Sequence, residues 1–157
     1  FGLATGKPVI GVSSIAAMAY NFYASNSLIC PIMDARRGQV YTGLYSFEDG
    51  KFNELLEPSA MAIEELIDYI MQNDKDNKAV IFLGDGVPVH KETINEKLSI
   101  SHEFAYGNNN LQRASSLALL AGEMFEKGQY ENAADHAPVY LRVSQAERER
   151  LERMKKE

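Results

Sequence analysis

The chain has 157 residues, of which 45% are hydrophobic and 24% charged, with 16 basic against 22 acidic side chains for a net charge of −6, and a single cysteine. That is about one ordinary domain, and the composition excludes collagen-like, low-complexity and strongly disordered chains; no apolar run approaches the ~20 residues of a membrane span. The acidic balance argues against an independent nucleic-acid binder, which draws on a basic field, although a local patch can still touch RNA. Cys30 has no intrachain partner, so no disulfide framework is expected, and a reducing, cytoplasmic compartment is.

Leu3–Lys7 reads as the last turn of a helix, stopped by Gly6 and Pro8. Pro8–Val12 is a short apolar strand. Ser13 or Ser14 then caps a helix whose Ile15, Met18, Ala19 and Phe22 recur at i, i+3, i+4, i+7. After a polar break at Ser25–Ser27, the continuous apolar run Leu28–Met33 predicts a strand buried on both faces. Asp34–Gly38 is a polar turn, and Gln39–Phe47 is β-rich. Asp49-Gly50 signals a hairpin into Lys51–Leu56, the third strand of an antiparallel meander. Pro58-Ser59 opens a helix capped by Ser59, with Ile63, Leu66, Ile67 and Ile70 as its apolar stripe. Ala79–Leu83 is a fourth strand, followed by Gly84-Asp85-Gly86. Pro88–Leu98 is a weaker helix and Ile100–Ala105 a fifth strand. Leu111–Lys127 is a helix with Leu117, Leu120, Ala121 and Met124 on one face, and Pro138–Arg142 is an extended end piece. The charged run Ser144–Glu157 carries Glu149–Arg153 and Glu152–Lys156 at i, i+4 and reads as a solvated helix or tail.

From residue 28 the order is three antiparallel strands, then helix, strand, helix, strand, helix. Strands joined through helices add in parallel with right-handed crossovers. The expected class is therefore α/β, a ribonuclease-H-like mixed five-stranded sheet with helices. That fold occurs alone in nucleases and in tandem in the actin-like and sugar-kinase-like ATPase superfamily. Residues 1–27 are expected to be the closing strand and helix of a truncated first domain, 28–143 a complete second domain, and 144–157 a charged tail. Apolar surface on Val9–Val12 and Ile15–Tyr23 is expected to drive self-association.

Several phrases carry a family resemblance: Phe1-Gly2-Leu3-Ala4-Thr5-Gly6-Lys7-Pro8-Val9-Ile10-Gly11-Val12-Ser13-Ser14, then Ile32-Met33-Asp34-Ala35-Arg36-Arg37-Gly38-Gln39-Val40-Tyr41, Gly84-Asp85-Gly86, and Pro138-Val139-Tyr140-Leu141-Arg142. The chain resembles the TsaB family, glycoprotease-like proteins of tRNA threonylcarbamoyladenosine biosynthesis with the actin-like ATPase fold. It matches the second domain and the end of the first. The resemblance implies a non-catalytic scaffold that pairs with a TsaD-like catalytic subunit and a TsaE-like ATPase. It also implies that tRNA is met only within the complex.

The residues themselves bear on chemistry. Gly6-Lys7-Pro8 is no phosphate-binding P-loop, since the spacing and the following Ser or Thr are absent. His90, His102 and His136 are too far apart for a zinc-protease helix pair and read as unrelated surface or half-buried side chains. Cys30, inside an apolar strand, reads as an inert core thiol. In ATPases of the superfamily the turn at Asp34–Gly38 cradles phosphates on backbone N–H groups, which needs small residues. Arg36 and Arg37 crowd such a cradle, so ATP hydrolysis is not expected. The two arginines read equally as an anion contact, together with Gly38 and Gly84-Asp85-Gly86, or as a surface salt bridge with Asp34. The alternatives are an active actin-fold ATPase or kinase, and a metal-dependent nuclease on Asp34, Glu64 or Glu65, and Asp85; for the latter, Asp beside turns also has backbone reasons. No catalytic residue, metal ligand or cofactor is assigned. Tyr41, Tyr45 and Phe47 share one face of their strand, with Phe52 close by on the meander; core packing under a helix is the preferred reading over an RNA-stacking platform.

Overall fold

The computed structural model describes residues 1–73, 77–141 and 154. Beyond a short α1 (Gly2–Thr5), the apolar run after Ser27 forms β1 (Leu28–Asp34), which pairs antiparallel with β2 (Gln39–Glu48). A tight turn at Asp49-Gly50, both residues at positive φ, returns the chain as β3 (Lys51–Ala62). Beyond α3 (Ile63–Asn73), β4 (Val80–Leu83) lies parallel to β1; beyond α4 (Val87–Lys97), β5 (His102–Phe104) lies parallel to β4. The sheet order is β3-β2-β1-β4-β5, the mixed five-stranded α/β arrangement that the pattern predicts.

Central β1 has a covered face on each side. Leu28, Cys30 and Ile32 pack with Leu66, Ile67 and Ile70 of α3 and Ile94 of α4. Ile29 packs on the opposite face with Ile81, Leu83 and the buried stripe Ile15, Met18 and Ala19 of α2 (Ser14–Ala19). Each fully buried aliphatic of this kind contributes about 1.5–3 kcal/mol relative to exposure. Ser13 caps α2, its hydroxyl accepting from Ala16 N–H at 3.3 Å. Core packing accounts for Tyr45, Phe47 and Phe52 of the meander. Tyr45 stacks on Phe52 at 5.1 Å, and Phe47 meets Tyr20 edge-on at 5.3 Å, in the turn of 3₁₀ helix that extends α2.

Local expectations differ from the structure in three places. Pro58-Ser59 does not open a helix: Ser59 lies opposite Thr42 in the ladder, and β3 continues to Ala62. The pairing with β2 outweighs the local cap signal. Pro58 is tolerated because β3 is an edge strand and the register shifts between Thr42 and Leu44. The cap role falls to Glu65, whose Oε2 accepts Ala62 N–H at 3.1 Å. Residues 8–12 form no strand; Val9 makes one isolated bridge to Glu131. The last helix, α5 (Ala114–Glu126), starts three residues later than expected, after a 3₁₀ turn at Gly107–Asn109. Asn21 donates to the carbonyls of Asn109 and Leu111 at 2.9 and 2.8 Å, which engages those groups outside the helix. Ser116 and Leu120 form its buried face, while Leu117 is exposed. Arg142 and the charged run from Ser144, with its two i, i+4 pairs, lie outside the described residues apart from Met154.

Candidate functional site

Parallel β1 and β4 end side by side, and ligands of α/β sheets gather beyond such carboxyl ends. The β1–β2 turn and the β4–α4 loop meet there. Arg36, Arg37 and Gly38 hold φ of 63, 55 and 71°, three left-handed residues in a row. Two arginines in that region cost of order 1–3 kcal/mol each, so surrounding bonds must sustain them. Ala35 N–H donates to Gln39 O at 2.9 Å, Gln39 N–H to Arg36 O at 3.1 Å, and Ile63 N–H to Gly38 O at 3.0 Å. Asp34 Oδ1 accepts Arg36 N–H at 2.9 Å.

The β4–α4 loop crosses this turn closely enough to require glycine. A Cβ on Gly84, whose φ is 111°, would lie 2.2 Å from Ile32 O. One on Gly86 would lie 3.0 Å from the same oxygen and 3.2 Å from Asp34 N. Between them, Asp85 Oδ1 accepts Asp34 N–H at 3.2 Å. Asn110 completes the junction: its Oδ1 accepts Gly84 N–H at 2.7 Å and its Nδ2 donates to Gly84 O at 3.3 Å. His90, in α4, is 5% exposed; its Nε2 has no hydrogen bond and lies 3.9 Å from Asp34 Oδ1.

Of the sequence candidates, the structure brings together Asp34, Arg36, Arg37, Gly38, Gly84, Asp85 and Gly86. The Asp34–arginine salt bridge is not formed, because the carboxylate takes the Arg36 backbone N–H instead. Among the described residues neither guanidinium has an ion pair. The nuclease carboxylates do not converge. Glu64 pairs with Lys97 at 3.1 Å, which holds its carboxyl below the usual range, and Glu65 caps Ala62. No group of three or more His, Cys, Asp or Glu that could hold a metal occurs among the described residues. The histidines lie apart: His102 bonds Ile100 O and Asn95, and His136 bonds Glu131, while His90 is buried rather than superficial because α4 turns it against β1. Cys30 is fully enclosed, 3.7 Å from Thr42 Oγ1, and burial pushes its thiol up to about 12.

Sequence reasoning missed Asn110 and a recess at the root of the turn. Asn110 sits in a run of three asparagines with no spacing signal. The recess, about 230 Å³, is lined by Ser14, Ile15, Met33, Tyr41, Tyr140 and Leu141, which come from three distant stretches of chain.

A family model described as "TsaD: tRNA N6-adenosine threonylcarbamoyltransferase" matches residues 1–150. The tRNA threonylcarbamoyladenosine biosynthesis protein TsaB of Bacillus subtilis (strain 168) is 33% identical over 151 residues, covering 94% of this chain and 62% of that protein. Two solved structures from Pseudomonas aeruginosa share the fold. One, an uncharacterized protein with similarity to peptidase YeaZ, has a TM-score of 0.69 at 23% identity, over 90% of this chain and 62% of the other. The second, YeaZ, has a TM-score of 0.68 at 22% identity, over 88% and 62%. The chain thus spans about 62% of the length of these relatives.

Proposed function

The chain belongs to the TsaB and TsaD family of tRNA threonylcarbamoyladenosine proteins, and we propose that it serves there as a TsaB-like scaffold rather than as the catalyst. The single observation that carries this reading is the 33% identity to the Bacillus subtilis TsaB protein over almost the whole chain. The scaffold supports formation of threonylcarbamoyladenosine next to the anticodon, through pairing with a TsaD-like catalytic subunit that a TsaE-like ATPase joins.

The geometry of the site supports a structural role. Asp34 and Asp85 spend an oxygen each on backbone N–H groups, which locks two loops together. Two arginines fill the turn where a phosphate cradle would need small side chains. Within the same proposal, residues 1–27 are the closing segment of a first domain, with α2 as its helix and no strand formed at residues 8–12, and 28–143 are the second domain. In support, Val9 makes one isolated bridge and joins no strand of the sheet. The intact protein is cytoplasmic in this reading.

Reconstitution tests it. The full-length protein is mixed with TsaD and TsaE homologues, substrate tRNA, ATP and threonylcarbamoyl-adenylate. Modified adenosine is expected to accumulate only when this protein is present. Equal modification without it overturns the proposal.

A further inference from the structure

Two features at the β1–β2 turn have no role in the scaffold reading. The first is the turn itself. Arg36 and Arg37 are adjacent, exposed and left-handed, on backbone pinned by four hydrogen bonds, those of Ala35, Gln39, Ile63 and Arg36. Neither guanidinium has an ion pair among the described residues. On a chain of net charge −6 the turn holds two adjacent guanidinium groups on fixed backbone, beside the carboxylates of Asp34 and Asp85. Guanidinium forks match phosphate oxygens in geometry and charge.

The second is the recess beneath it. Met33 and Tyr41 are partners across the β1–β2 ladder, one rung before Asp34 and Val40. Both line the recess, with Ser14, Ile15, Tyr140 and Leu141. At about 3.3 Å per residue the arginines stand roughly 10 Å beyond that rung, a distance that an arginine side chain covers in large part. The lining is two tyrosines on aliphatic and thioether surface, with three hydroxyl groups. Its volume of about 230 Å³ lies below the ~300–1,000 Å³ of drug-sized pockets, which suits a single flat ring system. Tyr140 is 82% exposed, so its ring is free to stack.

We propose that the turn and the recess together hold one nucleotide of a single-stranded RNA, with its phosphate on Arg36 and Arg37 and its base against Tyr41 and Tyr140. Unpaired bases are stacked on aromatic side chains, whereas paired ones are withheld in the duplex. The inference rests on the reading that the chain works on tRNA, whose anticodon loop supplies unpaired nucleotides beside phosphates. It assigns that loop a direct contact on this chain inside the complex.

The test is fluorescence anisotropy of a labelled anticodon stem–loop across a salt series, with this chain alone and with a TsaD-like subunit present. Wild type, the double variant Arg36→Ala/Arg37→Ala and Tyr140→Ala are compared, with melting curves to establish that each is folded. The double variant is expected to lower the slope of log affinity against log salt by about 0.7, since one single-stranded phosphate contributes about that much. Tyr140→Ala is expected to weaken binding about 5-fold or more at one salt concentration, as stacking losses do. Fully paired RNA and ADP serve as competitors and are expected to compete poorly. An unchanged slope in the double variant overturns the proposal. So does equal affinity for paired RNA, and ADP competing as well as RNA would make this a free-nucleotide site instead. The two readings fail separately. If modification requires the chain while the variants bind and modify normally, the RNA site is wrong and the scaffold stands. If modification proceeds without the chain while the variants lose RNA binding, the reverse holds.

Discussion

Gly84→Ala probes the closest backbone approach at the junction of the two loops. The added Cβ would meet Ile32 O at 2.2 Å and Ile32 C at 3.0 Å, both backbone atoms that cannot swing away. The φ of 111° is in addition one that a side chain disfavours. Unfavourable φ costs of order 1–3 kcal/mol, and overpacking in a close-packed region costs about 1–3 kcal/mol. A combined loss of about 3–5 kcal/mol is expected, a large share of the ~5–15 kcal/mol by which domains are stable. At ~2–4 °C per kcal/mol for a chain of this size, Tm falls by roughly 6–20 °C. The relief route is to push the β4–α4 loop off β1, which breaks the Gly84–Asn110 pair of hydrogen bonds and the Asp85–Asp34 bond. Amide exchange at Gly84 and Asp34 is therefore expected to rise before the remainder of the sheet opens. Gly122→Ala is the control. It lies inside α5, with open space around its Cβ position, and gains about 0.5–1 kcal/mol from the helix preference of alanine. A Gly84→Ala protein melting within 2 °C of wild type, or two variants shifting in the same direction, would refute the reasoning.

Asn21→Ala removes bonds to Asn109 O, Leu111 O and the Ser116 hydroxyl; a loss of about 2–3 kcal/mol in urea unfolding is expected, with amide protection falling first around residues 107–116. Tyr45→Phe deletes a fully buried hydroxyl that has no hydrogen bond among the described residues, so the variant is expected to unfold at equal or higher denaturant, by up to about 1 kcal/mol; a loss above that size would mean that the hydroxyl has a partner. Cys30, its thiol pushed up to about 12 by burial, is expected to resist a thiol reagent at pH 8 in the native state and to react at once in guanidinium. Lys97→Met removes the partner that holds the Glu64 carboxyl below its ordinary value of 4.5. A depressed carboxylate stabilises the fold above its unfolded pKa, and that contribution is lost as pH falls through the folded one. Both side chains are about half exposed, so the difference from wild type at pH 7 is expected within about 0.5 kcal/mol and to shrink as pH falls below the ordinary value of 4.5.

What the sequence made legible was what local chemistry dictates. The unbroken run Leu28–Met33 signalled a strand covered on both faces, and the two core clusters bear that out. Ser13 announced its cap, and Asp49-Gly50 its hairpin. The errors came where a distant segment decided. Ser59 carries a cap signal but is claimed by Thr42 across the ladder; Leu111 is the expected start of the last helix, but its carbonyl is claimed by Asn21, ninety residues away in sequence.

The candidate site divides in the same way. Arg36, Arg37 and the Gly84–Gly86 pair stood out as residue types in short phrases, and backbone geometry placed them together because β1 and β4 are parallel neighbours. Nothing in those phrases showed that Asp34 would turn from the arginine side chain to its backbone N–H. That choice follows from the left-handed turn, which presents the Arg36 N–H at 2.9 Å and leaves the guanidinium in solvent. The arginine charge, which the sequence read equally as an anion contact or as half of a salt bridge, thereby has no ion pair among the described residues. An unpaired, exposed pair of arginines on strained backbone is a poor way to gain stability, since exposed ion pairs contribute ~0–1 kcal/mol even when formed. Fold stability therefore gives these two side chains no role, and the RNA test is directed at them.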